Sequence, residues 1–387
     1  MVFMKKIYIP SNLDLSNIID KEYQNDKDLD RLHYIINLIY EQRILYKNSQ
    51  EYVPLKAIYM RNLVVRNYND YVNILVRKGV IACDRHYIKN EKSFGYKLCE
   101  PYSLVRHKEI SLLSKCVNRN VERWTARRLP TTKVHNHLYG FLQEIEIDYD
   151  KAIQFIDKLD VQEYNSAKIA IDKFKNRDFF LYCDEFGKRI HTNITNLRST
   201  LRKYLVYKNQ KLVNVDIANS QPLLLLISIP HLSYSIRCTF SIYFDDVTPD
   251  VLNYKRLVEQ GTLYDYLMKH AGETDRSVFK ENFFRETFFG KRTSKLFCKL
   301  FPTIGEEIKK IKRKNYRRLA WLMQRTESKL MISGICRRIM EEHKDTFMAT
   351  IHDSILTTPE NVPIIKKIMS EEFEKLGLSP TIRIEST

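Results

Sequence analysis

Two aspartates stand where a carboxylate could be held ready for metal chemistry. In Leu212-Val213-Asn214-Val215-Asp216 an alternating apolar run reads as a strand leading to Asp216. Ser220-Gln221-Pro222 follows, with Ser220 as a helix cap and Pro222 in the first turn. In Phe347-Met348-Ala349-Thr350-Ile351-His352-Asp353-Ser354-Ile355-Leu356 a polar triplet divides two apolar halves, the pattern of a strand-turn-strand with Asp353 at its tip. A carboxylate at a strand end is exposed and preorganised, as divalent-cation ligation requires. Singly, such an Asp is more often a turn former. Brought together, Asp216 and Asp353 would hold a pair of Mg²⁺ ions, with Mn²⁺ able to substitute. One ion would activate a 3′-hydroxyl and the other neutralise a leaving pyrophosphate.

A third element lies between them. Arg276 and Lys280 in Asp275-Arg276-Ser277-Val278-Phe279-Lys280 are four residues apart, so both occupy one helix face and could grip a triphosphate. Phe288-Phe289-Gly290, about two turns on, offers a ring on which a base could stack. The plainer reading is a basic surface helix with core phenylalanines. Fifteen Lys or Arg against five Glu between Lys280 and Leu330 put +10 of the chain's net +17 into 51 residues, the electrostatic footprint of phosphate binding. A solvated basic face would carry the same charge. Within this stretch Trp321-Leu322-Met323-Gln324-Arg325-Thr326-Glu327-Ser328 starts another helix.

The elements that must position these groups follow from periodicity. From Leu181 onward short β-rich runs alternate with basic helices, whereas residues 105–180 are mostly of helical pattern, broken at Leu129-Pro130. The first hundred residues read as a unit of their own. Asp30–Lys47 carries Leu32, Ile35, Ile36 and Ile39 at helical spacing, ending at the Asn48-Ser49 break; Leu55–Val64 is a second short helix. A third has Asp70 near its start, Tyr71, Val72, Leu75 and Val76 inward, Asn67, Tyr68, Asn69, Asn73 and Arg77 exposed, and Gly79 as its stop. Val80-Ile81 leads into Arg85-His86-Tyr87-Ile88, a charged turn Lys89-Asn90-Glu91-Lys92, and Phe94–Leu98.

Composition removes other classes. The 387 residues suggest two or three domains, and a hydrophobic fraction of 44% supplies real cores. No run of 18 apolar residues suggests a membrane span, and the N-terminus lacks the apolar core of a signal peptide, so a cytoplasmic protein is expected. The seven cysteines, Cys238 among them, form no C-x-x-C, and the histidines no H-x-x-x-H, which speaks against a disulfide framework, a zinc finger or a metalloprotease site.

Helix, helix, helix, then two short strands around a charged turn resembles a winged helix-turn-helix module over about residues 30–99. The resemblance implies that Asn69, Asn73 and Arg77 face a major groove and that Lys89, Lys92 and Lys97 meet phosphates; a winged helix used for protein contacts is the alternative. From about residue 180 to 387 the chain resembles the palm and fingers of family A DNA polymerases and the related phage-type single-subunit RNA polymerases. Asp216-Ile217-Ala218-Asn219-Ser220-Gln221 is similar to their motif A, Arg276-x-x-x-Lys280 with Phe-Phe-Gly to motif B, and His352-Asp353-Ser354 to motif C. Asp184-Glu185-Phe186-Gly187-Lys188-Arg189, continuing to Asn196-Leu197, is similar to the element before motif A that contacts the template–primer duplex. An amphipathic helix over Glu360–Leu376 and a closing strand over Pro380–Glu385 end the chain as such palms end.

The resemblance implies an α+β right-hand polymerase: an antiparallel palm sheet and helical fingers over 181–387, a helical thumb-like region over 106–180, and the winged-helix domain over 1–105. It implies nucleotidyl transfer with Asp216 and Asp353 on the metals, Arg276 and Lys280 on the triphosphate, Arg189 and His352 at the primer or nascent end, and Lys188 on nucleic acid. It also implies that Gln324 and Arg325 touch the minor groove or template, a plain packing helix being the alternative. The partners would be DNA template, primer and nucleoside triphosphates, in replication of a phage or mobile element in a bacterial or phage-infected cell. Two departures bear on the sugar. Gln221 stands where DNA-synthesising members carry a Glu, and Phe289-Gly290 fall nine and ten residues beyond Lys280 where Tyr-Gly normally stand eight and nine beyond, leaving Phe288 or Phe289 for the Tyr role. Gln221 packed against either ring would crowd a 2′-hydroxyl. No second acidic cluster suggests a proofreading exonuclease. DNA is the expected product; an RNA polymerase or primase, or a non-catalytic winged-helix replication initiator, are the alternatives.

Overall fold

Leu32, Ile35, Ile36 and Ile39 recur at helical spacing, and the first long helix, α1 (Asp26–Leu45), buries all four completely. That helix anchors the first of two compact units in a computed structural model describing residues 4–45, 52–88, 91–103, 105–126, 132–229 and 248–387. The units are Met1–Leu129 with Ile147–Phe180, and Pro130–Glu146 with Leu181–Thr387, so the helical stretch 106–180 is shared between them. The Asn48-Ser49 and Leu129-Pro130 breaks, Lys89-Asn90 and Cys238 lie outside the described residues.

In the first unit, β1 (Lys6–Pro10) precedes α1. Then come β2 (Val53–Pro54), α2 (Ala57–Leu63), α3 (Tyr68–Arg77), β3 (Ile81–Cys83), β4 (Gly95–Leu98), β5 (His107–Ser111) and α4 (Lys115–Ala126). After an excursion through α5 (Lys133–Glu144) and β6 (Ile145–Ile147), α6 (Tyr149–Ile156) and α7 (Val161–Lys175) complete it. β1 pairs with β5, and β2, β4 and β3 form a three-stranded antiparallel sheet in that order. Gly79 ends the α3 region in the left-handed conformation, φ +68°. Two expectations are corrected. Tyr68 is buried, because the first turn of α3 faces the core with Tyr71, Val72 and Leu75. Arg85–Ile88 is not a strand: it contributes only an isolated bridge from Ile88 to Lys92, because the ladder runs from Ile81–Cys83 to Tyr96–Leu98.

His33 on α1 supplies a pH test of this unit. Burial, with the Lys108 ammonium adding to it, pushes its imidazole from the ordinary 6.5 down to about 4. Between those values the unfolded chain takes up a proton that the folded chain refuses, so stability present above pH 6.5 is lost as pH falls toward 4. The expected loss is on the order of 2–3 kcal/mol. Urea titrations of wild type and His33→Gln across that range should show a sloping midpoint in the first and a flatter one in the second.

The second unit is built on a four-stranded antiparallel sheet. After β7 (Leu181–Cys183), β8 (Ile190–Thr192), α8 (Asn193–Asn196), α9 (Ser199–Arg202) and the short strands β9 (Leu205–Tyr207) and β10 (Gln210–Lys211), its central strand is β11 (Val213–Ile217). Helices α10 (Ser220–Ser228), α11 (Pro249–Glu259), α12 (Leu263–Ala271) and α13 (Arg276–Phe283) follow. α13 continues as a π-helical segment, Phe284–Phe289, before α14 (Lys295–Leu300) and α15 (Pro302–Lys312). α16 (Arg317–Ser328) runs through a second π-helical stretch, Lys329–Cys336, into α17 (Arg337–Glu342). β12 (Ala349–Ile351), β13 (Ser354–Thr357), α18 (Val362–Glu374) and β14 (Ile382–Ser386) close the sheet in the order β12-β13-β11-β14. No helix among the described residues is long and apolar enough to cross a membrane.

Candidate active site

Strand β11 places Asp216. Val215 and Ile217 are buried, which turns Asn214 and Asp216 to the other face of the sheet. On that face Asp216 stands opposite Ser354 of β13 on one side and Arg383 of β14 on the other. Strands β12 and β13 are joined by His352-Asp353 alone, with His352 in the left-handed conformation at φ +54°. For a non-glycine residue that conformation costs about 1 kcal/mol or more, and such strain gathers at functional sites. The chain leaves β11 through Asn219, also left-handed at φ +54°, so that Ser220 opens α10 and donates its hydroxyl to Asp353 Oδ2. This corrects the expected role of Ser220. Asn219 holds the cap position, and Ser220 links the two aspartate-bearing segments.

The electrostatics of this corner favour a cation. Burial, then the neighbouring carboxylates of Asp353 and Glu385, push the Asp216 carboxyl up to about 7, against the pull of Lys280. Glu385 shares the site face of the sheet, since it stands opposite Asn214. Among the described residues no group of three or more His, Cys, Asp or Glu is arranged to hold a metal. The pair Asp216 and Asp353 still suits Mg²⁺, which is commonly bound through one or two carboxylates, with waters and substrate phosphates completing its octahedron.

Arg276 and Lys280 lie on one face of α13 as expected. Their cations stand 5.9 and 5.5 Å from the centre of the Tyr264 ring, and Lys280 also approaches Phe284. Asp275 caps the helix by accepting from the backbone N–H groups of Ser277 and Val278, and Asp265 pairs with Arg276 at 3.2 Å. Beyond Lys280 the helix widens to π geometry, which takes more residues per turn than an α-helix. Phe288 is fully buried against Phe283 and Phe284, whereas Phe289 is 39% exposed and stacks on Phe284. The Phe288 side chain is thereby enclosed, and Phe289 carries the accessible ring. Gly290 is required where it stands, because a Cβ there would lie 2.5 Å from the Arg285 carbonyl. Lys312 fastens the segment by donating to the Thr287 and Arg292 carbonyls at 2.7 and 3.0 Å; burial pushes its ammonium down to about 8.

Glu327, to which the sequence reading gave no role, organises the neighbouring side chains. It is 1% exposed, accepts Arg189 Nε and Nη2 at 2.7 and 2.6 Å, and accepts Gln221 Nε2 at 2.6 Å. The Arg189 fork is therefore engaged within the protein, and the Gln221 amide is drawn toward α16. Gln221 Oε1 is buried with no hydrogen-bond partner among the described residues. A signal was present in the sequence: Glu327 is the one acidic residue between Glu307 and Glu341. His352 is half-buried, and burial, then the Arg189 charge, push its imidazole below the ordinary value. His191 packs edge-on to it at 6.3 Å and stacks on Tyr182.

Gln324 and Arg325 clamp the turn between β7 and β8. A Cβ on Gly187 would meet Gln324 Cβ at 2.9 Å, an atom that cannot swing aside as Oε1 at 2.5 Å can, so glycine permits the approach. Arg325 donates to the Phe186 and Glu185 carbonyls and lies 4.2 Å from the Trp321 ring centre. Lys188 is exposed, with φ +59°. In the first unit Asn69, Asn73 and Arg77 are exposed along α3, Arg77 sharing Asp20 with Lys78. Lys92 is exposed and paired with Asp84 at 3.1 Å. Thirteen of the fifteen basic residues in 280–330 are exposed, the exceptions being Lys312 and Arg325.

No protein-family model matches the chain, and no curated protein sequence matches it. A solved structure that is similar in part is the POL domain of Pol1 from M. smegmatis in complex with DNA primer-template and dNTP. The TM-score is 0.32 and the identity 11%, over 58% of this chain and 52% of that one. The chain thus spans about half the length of that structure.

Proposed function

We propose that the chain is a template-directed DNA polymerase of family A type, working by two-metal nucleotidyl transfer without proofreading. The observation that carries this reading is the pairing of Asp216 with Asp353. Strand pairing sets Asp216 opposite Ser354, the residue after Asp353, and Ser220 bonds to Asp353 across a separation of 133 residues. Lys280 is close enough to stabilise the Asp216 carboxylate, which sets the cationic face of α13 beside the acidic pair. Asp216 and Asp353 hold two Mg²⁺ ions, or Mn²⁺ in their place; the ions supply activation of the 3′-hydroxyl and charge neutralisation at the leaving pyrophosphate. Arg276 and Lys280 hold the triphosphate, Phe289 offers its ring to the base, and Gln221 borders the sugar. His352, Lys188, Gln324 and Arg325 line the path of the template and the growing strand, with Arg189 acting through its bond to Glu327.

In this reading 181–387 is palm and fingers, 106–180 a reduced thumb, and 1–105 a winged-helix DNA-binding domain. Asn69, Asn73 and Arg77 meet a major groove and Lys92 a phosphate. Such a chain suits replication of a phage or mobile element in a bacterial or phage-infected cytoplasm. The test is parallel incorporation of dNTPs and NTPs, with Mg²⁺ or Mn²⁺, on a primed template and on bare single strand. Primed dNTP extension is the expected result; no incorporation under any condition sinks the reading. A second reading, unprimed ribonucleotide synthesis as by a primase, is favoured by one feature. The residue five beyond Asp216 is an amide held by Glu327 rather than a carboxylate. Efficient unprimed NTP polymerisation with negligible dNTP extension would select it.

A further inference from the structure

Beside the cationic face of α13 lies a cavity of the opposite sign. Phe279, Asn282, Phe283 and Glu286 follow one another at i, i+3, i+4 and i+7, and all four line it. Its volume is about 210 Å³. Leu267 of α12, with Leu296 and Phe297 of α14, extends the apolar lining. Leu267, Phe283 and Phe297 are buried, whereas Phe279 is half-buried and stacks on Phe283 at 6.1 Å with the rings 14° from parallel. α12 stops at Ala271 because Gly272 turns left-handed at φ +71°, and that turn delivers Glu273 to the cavity.

The polar groups of the lining fall into two kinds. Asn282 accepts from Arg285 at 2.6 Å, and Ser294 caps α14 by accepting from the Phe297 N–H. Glu273 and Glu286 are exposed and have no hydrogen-bond or ion-pair partner among the described residues. They are also the only charged groups among the described lining residues, beside a segment in which fifteen Lys or Arg stand against five Glu. An extension of a phosphate-binding surface would carry the other sign. An apolar floor with a few polar groups at its edge is the usual make-up of a small-ligand site. Here the edge selects a cation, and the three phenyl rings favour an organic ammonium over Mg²⁺, which gives up its water reluctantly. A cavity of about 150 Å³ lined by such residues takes up benzene, so this one has room for a ring with a short chain.

We propose that this cavity binds a free organic ammonium ligand, its apolar body against Phe279, Phe283 and Phe297 and its cationic head at the Glu273 and Glu286 carboxylates. The lining shares no residue with the Asp216 and Asp353 site, and the inference does not depend on nucleotidyl transfer. The probe is phenethylammonium, titrated into the full-length chain and followed by saturation-transfer NMR, with neutral phenethyl alcohol as its uncharged counterpart. Saturable binding of the ammonium is expected, with the alcohol about five- to thirtyfold weaker. Glu273→Gln combined with Glu286→Gln should weaken the ammonium by the same factor and leave the alcohol unchanged. Ala271→Trp, which adds a ring at an exposed position of the lining, should abolish binding of both. Asp353→Ala should bind the ammonium as wild type does. Absence of saturable binding, equal affinity for the two probes, or full binding in the double Gln or the Trp variant overturns the proposal. Loss in Asp353→Ala overturns it too, by placing the cation at the aspartates. A chain that takes up the ammonium through Glu273 and Glu286 but incorporates no nucleotide bears the proposal out and refutes only the polymerase reading.

Discussion

Asp353→Ala in the full-length chain is expected to lower nucleotide incorporation at least a thousandfold, about 4 kcal/mol of transition-state stabilisation, with little change in fold. Asp353 sits in a two-residue turn outside the core, and its removal strands only the Ser220 hydroxyl, which can turn to water. Asp216→Asn should fall as far, and the double variant scarcely further, because the two carboxylates act as one unit. Ser220→Ala should cost far less, since it removes the tether and leaves both carboxylates. Single-turnover extension of a primed template, with binding measured alongside, checks all four. Full activity in Asp353→Ala would end the two-metal reading.

The second large effect is expected at Glu327. Its carboxylate accepts three hydrogen bonds inside the protein, two from Arg189 and one from Gln221, and is almost completely enclosed. Truncation to Ala leaves a guanidinium and an amide facing a cavity. Breaking such a buried pair from one side costs about 3–5 kcal/mol, the lower end being expected here because Arg189 keeps 21% side-chain exposure and can reach water. Urea unfolding of Glu327→Ala should show the loss, and Arg189→Met combined with Glu327→Leu should recover part of it, since neither charge is then stranded. If Gln221 borders the sugar, Glu327→Gln should also shift the ratio of NTP to dNTP incorporation, which a purely structural role would leave alone.

How legible this arrangement is in the sequence depends on whether its cause is local. The strand to Asp216 and the hairpin around Asp353 can be read directly, because alternating β-branched residues and a polar interruption state both the pleat and its break. The face shared by Arg276 and Lys280 follows from helical spacing in the same way. Ser220 is misread because the local pattern suits a helix cap, while the tight exit at Asn219 turns its hydroxyl toward a residue far along the chain. Tyr68 is misread because a tyrosine at a helix start is equally at home in either environment. Glu327 is marked in sequence only as a lone acid in a basic stretch, and neither it nor Glu385 shows which partner it meets: one bonds Arg189 across a helix–turn contact, and the other reaches Asp216 only through strand pairing.

The order of the strands also sets when the site comes into being. β11 lies between partners that both come from much later in the chain, and its pairing with β14 joins residues about 170 positions apart. Contacts of such separation must overcome a large loop-closure entropy and form slowly. While the chain is still assembling, Asp216 already sits in its segment but has no counterpart. On the proposed polymerase reading, incorporation during refolding should therefore lag behind the recovery of helical signal, making activity a clock for closure of the last sheet.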